Sequence, residues 1–102
     1  MPHAAGQKIL RDAFLGFMRI HVLHHAAEGP IYGLEMIEEL ERHGYAIGPG
    51  TLYPLLHTLE DAGLLRSTVA LVAGRNRRYY RTTRAGDALL VRLRKQIQEE
   101  FL

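Results

Sequence analysis

The 102-residue chain contains no cysteine and no tryptophan. Without cysteine there is no disulfide, no thiolate metal site and no cysteine nucleophile, which is compatible with a reducing cytoplasm. Long apolar runs are missing too. The longest, Ala13 to Leu23, is broken by Arg19 and His21 and falls short of the ~20 residues a bilayer span needs. The amino terminus, Met1-Pro2-His3-Ala4, has no charged segment leading into a clean apolar core, so a secretory leader is not expected. A cytoplasmic protein away from membranes is the expectation. No nucleophile, base and orienting group stand in a recognisable arrangement, and the histidines show no carboxylate partners at evident spacing, so an enzyme is set aside. No repeat or low-complexity linker divides the chain. With 47% hydrophobic residues, one domain over residues 1–102 is expected, with a core only modestly stable alone, which a second copy would help.

What the chain has in excess is positive charge in one half. Residues 28–61 carry seven acidic side chains against Arg42 alone, whereas residues 66–98 carry nine basic side chains against Asp87 alone. So uneven a field suits a polyanion on one side, and arginine offers the planar fork that pairs with phosphate. A solvated helix beside an ordinary hairpin would carry the same charges, so composition leaves both readings open.

Periodicity predicts a first helix from Gln7 to about Ala27, with one apolar stripe at Leu10, Phe14, Phe17 and Ile20 and another at Leu15, Met18 and Val22. A helix apolar on two faces has two surfaces to bury, one inside its domain and one against a partner subunit. Glu28-Gly29-Pro30 ends it. A second helix is expected from Tyr32 or Gly33 to Arg42, with Leu34, Ile37 and Leu40 inward, stopped at His43-Gly44. Pro49 then opens a third helix at its first position, where a missing N–H costs nothing. Leu52, Leu55, Leu56 and Leu59 form its buried stripe, leaving Gly50, Thr51, Tyr53, His57, Thr58 and Asp61 on the other face. Leu64–Val72 suits a strand, Ala73–Asn76 a turn and Arg77–Thr82 the return strand. Thr83 caps a last helix over residues 84–102, although Gly86 stands where a capping box calls for Glu.

That order, with Tyr32-Gly33, Pro49-Gly50-Thr51-Leu52-Tyr53-Pro54, Leu59-Glu60-Asp61-Ala62-Gly63-Leu64-Leu65 and Arg78-Tyr79-Tyr80-Arg81-Thr82-Thr83-Arg84-Ala85-Gly86, resembles the PadR family of bacterial transcriptional regulators in its compact branch. The motifs are dense over residues 30–87; the flanking helices match by pattern only. The resemblance implies a mainly α fold with a small β-hairpin: a winged helix-turn-helix over residues 7–82 and a single C-terminal dimerisation helix. It implies a homodimer that binds pseudo-palindromic double-stranded operator DNA, usually as a repressor, and releases it on binding a ligand. The chain departs from the family at Gly48, where serine usually caps the third helix; glycine costs only a few tenths of a kcal/mol there and removes one phosphate-contacting hydroxyl.

In such a fold the third helix enters the major groove by its first turn. Gly50 lets the backbone near a phosphate, Thr51 and Tyr53 offer hydroxyls, and free N–H groups attract an anion. Pro54 lies inside the helix and stiffens the presentation of Tyr53. Tyr53 could instead be a half-buried aromatic pinning the helix, and His57 either a base contact or a surface residue. Tyr32 is a further phosphate donor. Arg75, Asn76, Arg77 and Arg78 are expected at the wing tip, along the backbone or in the minor groove. In the last helix Leu89, Leu90, Leu93, Ile97 and Phe101 offer a seam to a partner, against Leu10, Phe14 and their neighbours. The same seam could pack within one subunit.

No cofactor is required. His21, His24 and His25 fall at i, i+3, i+4, and neutral imidazoles suit Zn²⁺ or another divalent ion. A further ligand is available from His3, His43, Glu28 or the partner chain, and surface histidines near a helix end give the same spacing. The rival effector is a flat apolar molecule between the first and last helices, with Phe14, Phe17 and Phe101 as its stacking surface. The alternative function is a winged-helix module that binds an acidic protein. Its third helix would then carry larger apolar anchors than Gly50, Thr51 and Tyr53.

Overall fold

A computed structural model of the chain describes residues 4–102. Its elements follow in the order α1 (Ala4–Glu28), α2 (Gly33–Arg42), α3 (Pro49–Asp61), β1 (Leu65–Val72), β2 (Arg75–Thr82) and α4 (Arg84–Phe101). Nothing between Ala4 and Glu28 breaks a helix, so α1 runs for 25 residues until Gly29-Pro30 stops it. Its stripe Met18, Val22, Leu23 and Ala26 faces the core. The other stripe stays outside, with Leu10 69% and Phe17 55% exposed.

The second helix turns differently from the expected phase. Gly33, Met36 and Leu40 face inward, while Leu34, expected inside, is 57% exposed. The phase is set by Gly33. A Cβ placed there would lie 2.5 to 2.7 Å from the ring and hydroxyl of Tyr53, so the face of α2 that has no side chain is the one that meets α3. Gly44, at φ 85°, closes the helix in the left-handed region. In α3 the leucines 52, 55, 56 and 59 are all buried, as their spacing requires.

The hairpin is tighter than expected. Ala73-Gly74 alone make the turn, and Arg75 and Asn76 already pair with Val72 and Leu71. Ala73 takes φ 50° and Gly74 φ 78°, the positive values that a two-residue hairpin loop demands. A single residue before α2 adds a rudimentary third strand. Ile31 donates to the Tyr80 carbonyl at 2.9 Å and accepts from its N–H at 2.7 Å.

The α3–β1 and β2–α4 junctions are sewn together. The Thr83 hydroxyl accepts the Gly86 N–H at 3.0 Å, capping α4, and donates to the Gly63 carbonyl. A Cβ on Gly86 would sit inside contact distance of the Leu64 carbonyl. Close backbone approach therefore excludes the capping-box glutamate, and the Thr83 N–H that it would have accepted goes to the Leu64 carbonyl at 3.1 Å. Buried residues from all four helices and the hairpin form one cluster, including Leu90 of α4 at 2% exposure. Beyond Leu90, α4 outruns its own chain, and Val91 and Phe101 are 63% and 77% exposed.

Two substitutions separate these constraints in urea denaturation at fixed protein concentration. Gly86→Ala must force the junction apart and should cost about 1–3 kcal/mol. Ala73→Gly relieves a left-handed alanine and should gain about 1 kcal/mol. A neutral Gly86→Ala would show that the junction is looser than drawn.

Candidate nucleic-acid interface

The exposed face of α3 is built by what lies beneath it. Leu52, Leu55 and Leu56 anchor the helix, so Gly50, Tyr53 and His57 are carried on the outer side, with Thr51 half-buried. Tyr53 lies across Gly33 yet remains 40% exposed. It is thus both an aromatic that pins α3 to α2 and a ring with an accessible edge. Gly33 makes this possible, a role visible in sequence only as the Tyr-Gly pair. Pro54 has no N–H to give the Gly50 carbonyl, and its own carbonyl accepts the Thr58 hydroxyl at 2.9 Å. The space where a Cβ would stand on Gly50 is open, so no contact within the chain asks for glycine.

The wing stands next to the start of α2. Because Ile31 pairs with Tyr80, Tyr32 falls beside Tyr79, ring centroids 5.5 Å apart and edge to face. The Arg77 guanidinium sits over the Tyr32 ring at 4.1 Å, a cation–π contact. Alternation along the strands then sorts the arginines. Arg75, Arg77 and Arg81 share a face with Arg66, which is paired directly with Arg81. Arg78 is on the other face, donating to the Ser67 hydroxyl at 2.9 Å, and Ser67 donates to Glu60 at 2.6 Å. The four residues expected at the wing tip are therefore divided: Arg75 and Asn76 flank the turn, while Arg77 and Arg78 point to opposite sides. Arg66 and Arg81, not among the residues expected at the interface, lie on the face of Arg77, and strand alternation from Arg77 leads to Arg81. With Pro30, Thr68 and Tyr79 they line an open cleft of about 490 Å³.

Elsewhere, α1 and α4 form an apolar groove lined by Phe17, Ile20, Leu23, Leu64, Leu89 and Leu93. Leu90 is in the chain's own core, whereas Phe101 is exposed and Ile97 half-buried. Phe14 packs edge-on against Tyr45 at 4.7 Å, and with Leu10 it lines a cleft that reaches Ile47 and Thr51 rather than α4.

The histidines group differently from their spacing on α1. His24 contacts Glu28 at 2.7 Å and Arg94, while its ring stays edge-on to that of His25, centroids 5.1 Å apart. His25 lies 3.4 Å from a Glu39 carboxylate oxygen, and His43 reaches the same oxygen at 3.1 Å. Carboxylate partners thus exist for three histidines, two of them at i, i±4, a spacing the sequence reading overlooked. The Arg42 guanidinium, opposed by desolvation and aided by His43, holds the Glu39 carboxyl below its ordinary pKa. His21 sits within 4.8 Å of the His43 ring, and its Nδ1 is enclosed without a hydrogen-bond partner. Burial first, then His43 and His25, lowers its pKa. His3 lies outside the described residues.

A helix-turn-helix whose second member exposes its first turn, followed by an arginine-rich hairpin docked at the start of the helix before it, defines a winged-helix DNA-binding transcriptional regulator. More narrowly, the chain belongs to the transcriptional regulator PadR-like family, whose model matches residues 22–92. It is 51% identical over 90 residues to the transcriptional regulator Rv3488 of Mycobacterium tuberculosis, covering 88% of this chain and 84% of that one. A PadR-like transcription factor from Bacteroides fragilis superposes with a TM-score of 0.80 at 26% identity, covering 90% of each chain. A PadR family regulator from Eggerthella lenta gives 0.73 at 33% identity over 94% of this chain and 88% of its own. The family is one of regulators, not enzymes. No described helix is long and apolar enough to cross a membrane.

The Gly33–Tyr53 contact has a direct check. In Gly33→Ala the far end of the Tyr53 ring must swing away, so its aromatic NMR signals should move while stability falls by only about 1 kcal/mol. Unmoved Tyr53 signals would contradict the packing described.

Proposed function

We propose that the chain is a cytoplasmic, homodimeric repressor of the PadR type that holds a pseudo-palindromic operator and releases it when a ligand binds. The observation that carries this reading is that the start of α2 meets both parts, Gly33 lying against Tyr53 of α3 and its neighbour Tyr32 holding Arg77 of the wing. Gly50, Thr51, Tyr53 and His57 would enter the major groove, the backbone of Gly50 near a phosphate and the two hydroxyls donating to phosphate or base edges. Tyr32 and Arg77 act as a pair, the ring fixing the guanidinium where it can meet the DNA backbone. Arg75 and Asn76 follow the strand at the wing tip, Arg78 flanks it from the α3 side, and Arg66 and Arg81 extend the positive field. Like charges directly opposite on a hairpin are unfavourable by themselves, so a face with Arg66 against Arg81 and no acidic residue is suited to an anionic partner.

The dimer is supported by the exposed apolar face of α1 and α4. A second copy covering Phe17, Leu89, Leu93, Ile97 and Phe101 would set the two α3 helices about one DNA turn, ~34 Å, apart. The organic effector is a flat apolar molecule, for which the cleft between α1 and α4 at Phe17, Ile20, His21, Tyr45 and Arg94, about 320 Å³, has the size and lining.

Two measurements test this. In a mobility-shift assay on the chain's own promoter region at two salt concentrations, Arg77→Ala should weaken binding to every sequence and lower the salt slope by about one unit. An unchanged slope would remove the wing from the interface. In sedimentation, Leu93→Glu should convert a dimer to monomer at micromolar concentration; a wild-type monomer under the same conditions would contradict the dimer.

A further inference from the structure

The polar cluster between the end of α1 and the end of α2 serves neither the core nor the DNA-facing surface. His25 Nε2 and His43 Nε2 converge on one atom, Glu39 Oε1, at 3.4 and 3.1 Å. All three donor atoms lie within 4.8 Å of one another. In a tetrahedral zinc site with ligands at 2.0–2.1 Å, neighbouring donors are about 3.3 Å apart, so two of the three separations are close to those of a formed site. The donor set, two imidazoles and one carboxylate, is among the commonest for zinc with an open fourth position. The remaining carboxylate oxygen, Glu39 Oε2, is held by Arg42, the kind of outer contact that orients a ligand without competing for the same atom. A route from solvent exists, because His25 and Glu39 line an open cleft whose rim includes Glu28 and Glu35. His21, with its enclosed and unpartnered Nδ1, backs the cluster on the α1 side.

We propose that His25, Glu39 and His43 form a binding site for a divalent cation of the zinc class that clamps α1 to α2. The site differs from the His21, His24, His25 grouping that helical spacing suggests, because His24 is engaged by Glu28 and Arg94. The clamp joins the helix that carries the exposed apolar face to the helix whose first residue seats Tyr53. That the metal regulates DNA binding rests on the repressor reading above; that it binds does not.

Isothermal titration of Zn²⁺ alone into the full chain tests the site. The expected result is one ion per chain, at least tenfold weaker binding in His43→Ala and in Glu39→Gln, and wild-type affinity in His24→Ala. His43 is exposed, so its removal leaves the fold intact, which the metal-free melting temperature checks. Zinc should raise that temperature in the wild type and not in His43→Ala. Wild-type affinity in a His25→Ala His43→Ala double variant, or loss of binding in His24→Ala, would overturn the proposal. Operator binding measured separately in chelator keeps a failure of the metal site distinct from a failure of the DNA reading.

Discussion

The placing of the wing against the helices of this chain depends on the two hydrogen bonds between Ile31 and Tyr80. A two-stranded hairpin is marginal in water by itself, and the outer part of this one, residues 68–78, is largely exposed. The Ile31 backbone docks its base at 2.9 and 2.7 Å, and the Tyr80 side chain is 99% enclosed, being only 1% exposed, which adds the burial of a whole aromatic ring. Burial also raises the Tyr80 pKa, so the ring stays neutral. Once residue 31 meets residue 80, the neighbours are fixed in order. Tyr32 meets Tyr79 and Arg77, and Gly33, the next residue, starts α2 against Tyr53 of α3. One backbone register thus brings the wing and the third helix to the same start of α2.

Two glycines hold this arrangement for opposite reasons from a third. Gly33 and Gly86 are required by close approach inside the subunit, one to an aromatic ring and one to a carbonyl. Gly50 meets no such neighbour, so its lack of a side chain leaves the start of α3 open from outside. The charge pattern shows the same division. Arg78 is tied to Ser67 and Glu60, within the fold, whereas Arg66, Arg75, Arg77 and Arg81 share a face without a single acidic residue on the hairpin. Stability alone would favour mixed signs there, by a few tenths of a kcal/mol per pair.

Much of the fold was legible because it is local. The leucines of α3, the stop at Gly44 and the cap at Thr83 each follow from spacing and residue type within one turn. What escaped was set by contacts between elements. Leu34, expected inside, turned outward because the contact of Gly33 with Tyr53, twenty positions further on, fixes the phase of α2. The capping-box glutamate is absent because Leu64 approaches Gly86. The wing residues read as a group divided between two faces once a two-residue turn fixed their register. The histidine partners divide similarly: His24–Glu28 and Glu39–His43 stand at helical spacing and could have been found, while the meeting of His25 with Glu39 depends on how α2 crosses α1.

The central claim is that the α3 start, Tyr32 and the wing act as one DNA-binding surface. It is tested most directly by following backbone amide shifts in the ¹⁵N-labelled protein as a promoter duplex is added. The account predicts that the largest changes cluster at residues 32, 50–57 and 75–81, with the α1–α4 groove little affected by comparison. Changes concentrated on the exposed face of α1 and α4, with the α3 start unmoved, would contradict it.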